Sequence, residues 1–111
     1  MDRALIVKKP WIDLILSGEK TWEMRSRKTH LTGWIGLIEQ GTGLIVGKAF
    51  LTCGWWKPNQ QELIDNHSKH LVDDTVLLEK WCYAWTLEQA ERFETPIPYK
   101  HPNGAVIWVK I

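Results

Sequence analysis

The amino-acid sequence predicts an α+β fold, a small β-barrel decorated with two or three short helices. Short strand-like runs recur from one end of the chain to the other, helical spacing is confined to a segment near the start and one or two in the middle, and no linker, internal repeat or low-complexity block parts them. With 111 residues the chain is the size of one domain, since two independent cores would each approach the lower limit for stable folding. Residues 1–111 are therefore expected to share a single core.

Residues 4–8 form the first strand-like run, after which Pro10 suits the first turn of a helix, where its missing N–H costs nothing. Trp11, Leu14 and Ile15 repeat at helical spacing, and Gly18 is placed to stop the helix in a left-handed conformation. Residues 21–25 alternate as a strand. Trp22 and Met24 share one face, expected to pack into the core, while Thr21, Glu23 and Arg25 share the other, expected to face outward. Residues 34–39 and 44–55 are β-like and flank Gln40-Gly41-Thr42-Gly43, which predicts a hairpin with a glycine-relaxed connection. Lys57-Pro58-Asn59 ends that stretch. Asn59 and Glu62 have the spacing of a capping box for a helix through about Asn66, and Asp73 and Asp74 can open a second short helix toward Lys80. Strand character returns over 82–87, the charges within 87–93 fit an edge or a bend, and Pro96, Pro98 and Pro102 mark a connection before a final strand at 105–111. Trp34, Trp81 and Trp108 are assigned to the core or its rim.

Hydrophobic content of 44% and charge of 24% are those of an ordinary globular domain, which disfavours disorder and collagen-like sequence. The net charge of +1 gives no whole-molecule electrostatic argument for nucleic acid, because a strongly cationic surface is what non-specific duplex binders use. Positive charge is nonetheless gathered at the start: residues 1–30 hold seven Lys/Arg against four acids, the rest seven against nine. Cys53 and Cys82 lie in apolar stretches without paired spacing, which fits buried free thiols in a reducing compartment. The apolar run at 4–7 is too short for a secretory core and none reaches a membrane-spanning length, so a cytoplasmic location with no membrane partner is expected. Eight tryptophans are the anomaly for this length, and some are expected to face a ligand. The sequence assigns no oligomeric state.

The stretch Lys9-Pro10-Trp11-Ile12-Asp13-Leu14-Ile15-Leu16-Ser17-Gly18-Glu19-Lys20-Thr21-Trp22-Glu23-Met24-Arg25 closely resembles the signature of the ASCH family (activating signal cointegrator homology), in which a K/Q-P-W helix leads into G-x-K-x-x-E-x-R. Tyr83-Ala84-Trp85, Pro96-Ile97-Pro98-Tyr99 and Gly104-Ala105-Val106-Ile107-Trp108-Val109 look like the family's closing strands, so the resemblance spans nearly the whole chain. It implies a PUA-like β-barrel of about six strands with a cleft beside the first helix. It also implies RNA binding as the general activity, with DNA binding, ribonuclease activity or hydrolysis of acetylated cytidine in individual members.

The motif chemistry suits a pocket for a flipped or free base. Arg25 can fork onto Glu23 or onto a ligand phosphate, Lys20 suits a phosphate or a base carbonyl as a mobile point charge, and Glu23 can accept from an exocyclic amine. Trp11, with Trp85 or Trp55, can supply a stacking surface. The bland alternative for an isolated trio is a surface Glu23–Arg25 pair with a solvated Lys20; the resemblance is what favours a site. Lys8 and Lys9 with Arg27 and Lys28 fit either a short phosphate track or a solvated face. The expected ligand-binding residues are thus Lys9, Trp11, Lys20, Glu23, Arg25 and Trp85, and the expected partner is single-stranded RNA or a nucleoside ligand.

Two enzymatic alternatives use Lys20 and Glu23 as catalytic residues. Family members that hydrolyse acetylated cytidine use a Lys, a Thr and a Glu, with the Thr three residues after the Lys. Here that position is Glu23, Thr21 lies two positions earlier, and Glu62 or Glu79 is a candidate distal carboxylate that nothing in the sequence locates near Lys20. A metal-independent ribonuclease would use Lys20 to steady phosphorane charge and Glu23 as base. Two neighbouring cations engage that carboxylate and make it a poor base, which ranks this below binding. A third class is a protein-interaction module built on exposed tryptophans. No metal or cofactor is expected. His67-x-x-His70 with Asp73 and Asp74 lacks a third ligand at a known spacing and is expected to be a solvated loop, and Gly41-Thr42-Gly43 lacks the Lys-Ser/Thr of a phosphate loop.

Overall fold

Alternating apolar and polar residues build one six-stranded mixed sheet with four short helices, seen in a computed structural model that describes residues 1–111. The elements run β1 (Arg3–Val7), α1 (Trp11–Leu16), β2 (Trp22–Arg25), β3 (Gly33–Glu39), β4 (Leu44–Trp56), α2 (Gln60–Asp65), α3 (His67–His70), α4 (Leu77–Lys80), β5 (Tyr83–Pro98) and β6 (Trp108–Lys110). The strand order is β2-β5-β4-β3-β1-β6, with β1 and β3 parallel and every other pair antiparallel. The α+β class and the strand count match expectation. The closed barrel does not: β2 and β6 are free edges, so the ladder stays open.

The sheet nevertheless coils. The β4–β5 ladder is interrupted by four register shifts between Ile45 and Trp56, and each extra residue bends the strand that carries it. Arg25 bridges from β2 to β1 through Nη2, which donates to the Ile6 carbonyl at 2.8 Å. A side-chain hydrogen bond stands where a closed barrel would have a ladder.

The main core lies inside this curve. Leu5 and Val7 of β1, Ile35 and Leu37 of β3, and Leu51 of β4 meet Ile12, Ile15 and Leu16 on one face of α1. Burying one such aliphatic side chain contributes roughly 1.5–3 kcal/mol. Gly18 has φ +85 and ends α1 as its position predicts, with its N–H donating to Ile15 O. Asn59 and Glu62 form the expected reciprocal capping box at the start of α2. The β3–β4 hairpin turns through Gly41 and Gly43, both at positive φ.

Other elements depart from expectation. Residues 87–93 lie inside the long β5. They still behave as an edge, because β2 pairs only with Tyr83–Thr86 and leaves one side of the strand open beyond it. The last strand is shorter than expected; residues 105–107 drape over the end of β1, where Ile107 O accepts from Ile6 N. Trp34 is 40% exposed, set edge-on to Phe50 with Lys48 over its ring, so it belongs to the surface. Cys53 and Cys82 are unpaired and half-buried. No helix is long and apolar enough to cross a membrane.

One glycine is required by close approach. A Cβ at Gly47 would overlap the Glu91 carbonyl oxygen and the Leu16 side chain and lie 3.2 Å from Arg92 Cα. Gly47→Ala is therefore expected to cost about 1–3 kcal/mol, read as a lower denaturation midpoint at unchanged slope. An unchanged midpoint would contradict this packing of β4 and β5 against α1.

Candidate functional site

Strand β2 has two buried faces, which corrects the expectation that its charges point outward. Trp22 and Met24 face a satellite core with Val72, Leu78 and Ala84, built by the excursion that carries α2, α3 and α4. Glu23 lies directly across from Trp85, a main-core residue, so the charged face of β2 points into the curve of the sheet. Glu23 is 4% exposed and Lys20 only 2%. The period-two pattern holds, but the outer face is covered by apolar side chains of the helical excursion, Val72 and Leu78 among them, and the inner face carries the charge.

The buried charges are held in a fixed arrangement. Glu23 Oε2 accepts from Nε of Arg25 at 3.0 Å and forms an ion pair with its Nη2 at 2.9 Å. Lys20 Nζ sits 3.9 Å from Glu23 Oε1, lies 4.6 Å from the centre of the Trp11 ring, and donates to the His70 carbonyl oxygen. Glu23 Oε1 accepts no hydrogen bond, and no enclosed side-chain oxygen lacks a partner, so this oxygen opens onto space. Burial pushes the Lys20 pKa from 10.5 down to about 8, with Glu23 opposing that shift and Arg25 adding to it.

His70 makes this geometry possible. Its Nδ1 accepts from Val72 N at 3.0 Å, so its Nε2 carries the proton and donates to Leu63 O at 2.7 Å, fixing a neutral ring. Burial lowers its pKa below the ordinary histidine value, ahead of a smaller opposing effect of the Leu63 carbonyl. Leu71 then takes a left-handed φ of +59, which ends α3 while the His70 carbonyl meets Lys20. The expectation of a solvated loop at His67-x-x-His70 is thus overturned: His70 is 1% exposed and structural. His67 pairs with Asp73 at 2.7 Å, and nowhere do three ligating side chains gather as a metal site would need.

Above these groups opens a cavity of about 290 Å³ in the seam between β2 and β1. Lys8, Lys20, Arg25, Arg27 and Lys80 line it against a single acid, Glu23. Trp11 and Trp81, edge to face at a centroid distance of 6.4 Å, form an indole wall.

Of the residues singled out from sequence, Trp11, Lys20, Glu23, Arg25 and Trp85 come together on this cavity and Lys9 does not. Lys9 is exposed and faces Asp13 and Glu39 at 3.9 and 3.8 Å, while its neighbour Lys8 lines the cavity. Trp85 is 2% exposed, stacked on Trp108 at 13°, with its Nε1 donating to Arg27 O and Arg25 over its ring. It backs the guanidinium and has little free face. Trp55 lies elsewhere, stacked on His30. Thr21, Glu62 and Glu79 are absent from the lining, and Glu62 is committed to its cap. Lys80, Trp81, Ser26 and Gln40 line the cavity without having been singled out for it. Only the indole of Trp81 carried a signal, and it suits a core equally well.

Comparisons with known proteins agree with this architecture. Crystal structures of ASCH from Zymomonas mobilis share the fold: the protein and a serine-to-alanine mutant superpose with a TM-score of 0.70, a tyrosine-to-phenylalanine mutant with 0.72. Each is 14% identical, and the alignments cover 98% of this chain and 86–88% of theirs, a likeness of fold alone. A comparison with curated protein sequences gives no match. The model of the ASCH domain matches residues 5–109, and on that extent the chain belongs to the ASCH domain family.

Proposed function

We propose that the seam cavity holds one nucleotide of a single-stranded RNA, or a modified nucleoside, and that the chain is a reader of that ligand. One observation carries this reading: five cations and one carboxylate line a small concave space, and one carboxylate oxygen, 3.9 Å from Lys20 Nζ, accepts no hydrogen bond. A cation excess of this kind, partly screened from water, selects an anionic ligand. Lys8, Arg27 and Lys80 are exposed and suited to phosphate, whereas Lys20 and Glu23 are buried and suited to a base. Glu23 Oε1 accepts from an exocyclic amine, as carboxylates do for cytosine, with the indole wall of Trp11 and Trp81 beside the ring. Membership of the ASCH family, for which RNA binding is the general inference, points the same way.

Binding is favoured over hydrolysis by the disposition of the remaining groups. Neither Thr21 nor a second carboxylate lines the cavity, so it lacks both the hydroxyl nucleophile of the amidohydrolase alternative and a carboxylate pair to divide acid and base roles. Its Oε2 is occupied by the Arg25 fork. Product formed from an RNA ladder or from acylated cytidines, and lost in Glu23→Gln, would overturn the reader in favour of an enzyme.

Lys8→Ala and Lys80→Ala are each expected to weaken binding of a short RNA severalfold and to flatten the salt dependence by about 0.7 in log–log slope per lost phosphate contact. Glu23→Gln is expected to erase about tenfold of any preference for cytidine over uridine, measured by titration of the two nucleotides. Unchanged preference would place the base elsewhere.

Lys20 gives a third test, with separate signs for stability and binding. Between pH 8 and 10.5 the unfolded chain holds the Lys20 proton more tightly than the folded one, so its contribution to stability rises with pH across that window and is flat below it. Anion binding has the opposite trend and is expected to weaken as pH rises through about 8. Lys20→Met is accordingly expected to melt at the same or a higher temperature while losing affinity and its alkaline decline. A large drop in melting temperature with affinity retained would assign Lys20 a structural role.

A further inference from the structure

A second cavity, of about 280 Å³, adjoins the first and shares Ile6, Gln40 and Val106 with it. Its chemistry is different. Its lining holds no Lys, Arg, Asp or Glu; Tyr99 and His101 are its aromatic members, with Gly41, Gly43 and Ala105 completing it. Tyr99 is fixed there: its hydroxyl meets His101 Nδ1 at 2.8 Å, His101 Nε2 meets Ala105 O at 2.9 Å, and the Tyr99 N–H donates to Gly43 O.

Gln40 stands at the junction. Its N–H donates to Val7 O, which places it beside Lys8 at the end of β1, and its exposed carboxamide makes no hydrogen bond within the protein. A donor and acceptor thus lie free at the border between a cationic cavity and a neutral, aromatic one. Val106, also shared, is 76% exposed, an apolar side chain left uncovered between the two.

We infer that the second cavity receives the adjacent nucleoside of the same RNA strand, so that the ligand is a dinucleotide step or longer and not a lone nucleoside. This rests on the nucleotide reading of the first cavity. The phosphodiester lies over the junction, within reach of Lys8, Arg25 and Gln40. The neighbouring base, which carries no charge, lies against Tyr99 where no cation is needed. A single nucleoside fills a space of about 290 Å³, at the small end of ligand sites, so a strand entering the first cavity leaves along an adjoining groove. Alternation of a charged compartment with a neutral aromatic one matches the alternation of phosphate and base along the strand.

The test compares dinucleoside monophosphates with nucleoside 3′- and 5′-methyl phosphates, which carry the same single charge, by isothermal titration at one salt concentration. The dinucleotides are expected to bind about tenfold more tightly, the gain of one stacked base. Tyr99→Ala removes that gain and leaves the methyl phosphates unaffected, whereas Tyr99→Phe retains it. Because Tyr99 also packs against the apolar cluster of Ala4 and Ile6, the exposed His101→Ala provides a second variant with the same expected direction. Methyl phosphates and dinucleotides binding equally would overturn the second subsite and leave the first cavity's reading standing. No binding of either would remove both, and tighter binding of deoxy dinucleotides than of their ribo counterparts would overturn the assignment to RNA.

Discussion

Everything distinctive about this molecule follows from one guanidinium doing two jobs. Arg25 clamps Glu23 with two of its nitrogens, and one of those, Nη2, also holds the Ile6 carbonyl across the gap between β2 and β1. The first contact pairs a buried carboxylate with a cation, which offsets the cost of taking that charge out of water. The second closes the curve of the sheet without a ladder. Because a side chain does the bridging, a space remains where paired strands would have filled the seam. The ring of Trp85 behind the guanidinium and Trp108 behind that ring give the arrangement a rigid backing.

Lys20 adds a cation where burial is unfavourable for one. Its lowered pKa expresses that cost, and the His70 carbonyl, the Glu23 oxygen and the Trp11 face each offset part of it. None of these partners saturates an ammonium group with three donors. Five cations against one anion around the cavity leave a local excess of positive charge, although the chain as a whole carries only +1. Whole-molecule charge is thus a poor guide to this protein, and the local balance is the informative quantity.

The sequence made some of this legible. Gly18 at the helix end, the Asn59–Glu62 cap, the glycine hairpin and the alternation at Trp22–Arg25 are local signals, and the structure contains each of them. What alternation cannot encode is which face of β2 is inside. That is decided by α3 and α4, four residues each, too short to show helical periodicity, which cover Trp22 and Met24 and so turn Glu23 inward. His70 was beyond reach for a related reason: it acts through a main-chain oxygen, which has no residue signature. The exchange of Lys9 for Lys8 turns on one position, because Lys9 is drawn aside by Asp13 on the next helical turn and by Glu39 on a distant strand.

The Lys20–His70 contact joins positions fifty residues apart, whereas β3 and β4 are linked by a four-residue turn. The long closure forfeits more chain entropy, offset by the small buried cluster around Trp22 and Met24 and by the Thr21 N–H donating to Lys69 O. The segment from Asn59 to Trp81 is thereby the natural place for sub-global melting, in which amide protons of α3 would exchange before those of the sheet. A protein assembled this way can lose the Lys20–His70 contact while its ladder persists, so the seam cavity can come apart on heating before β structure is lost.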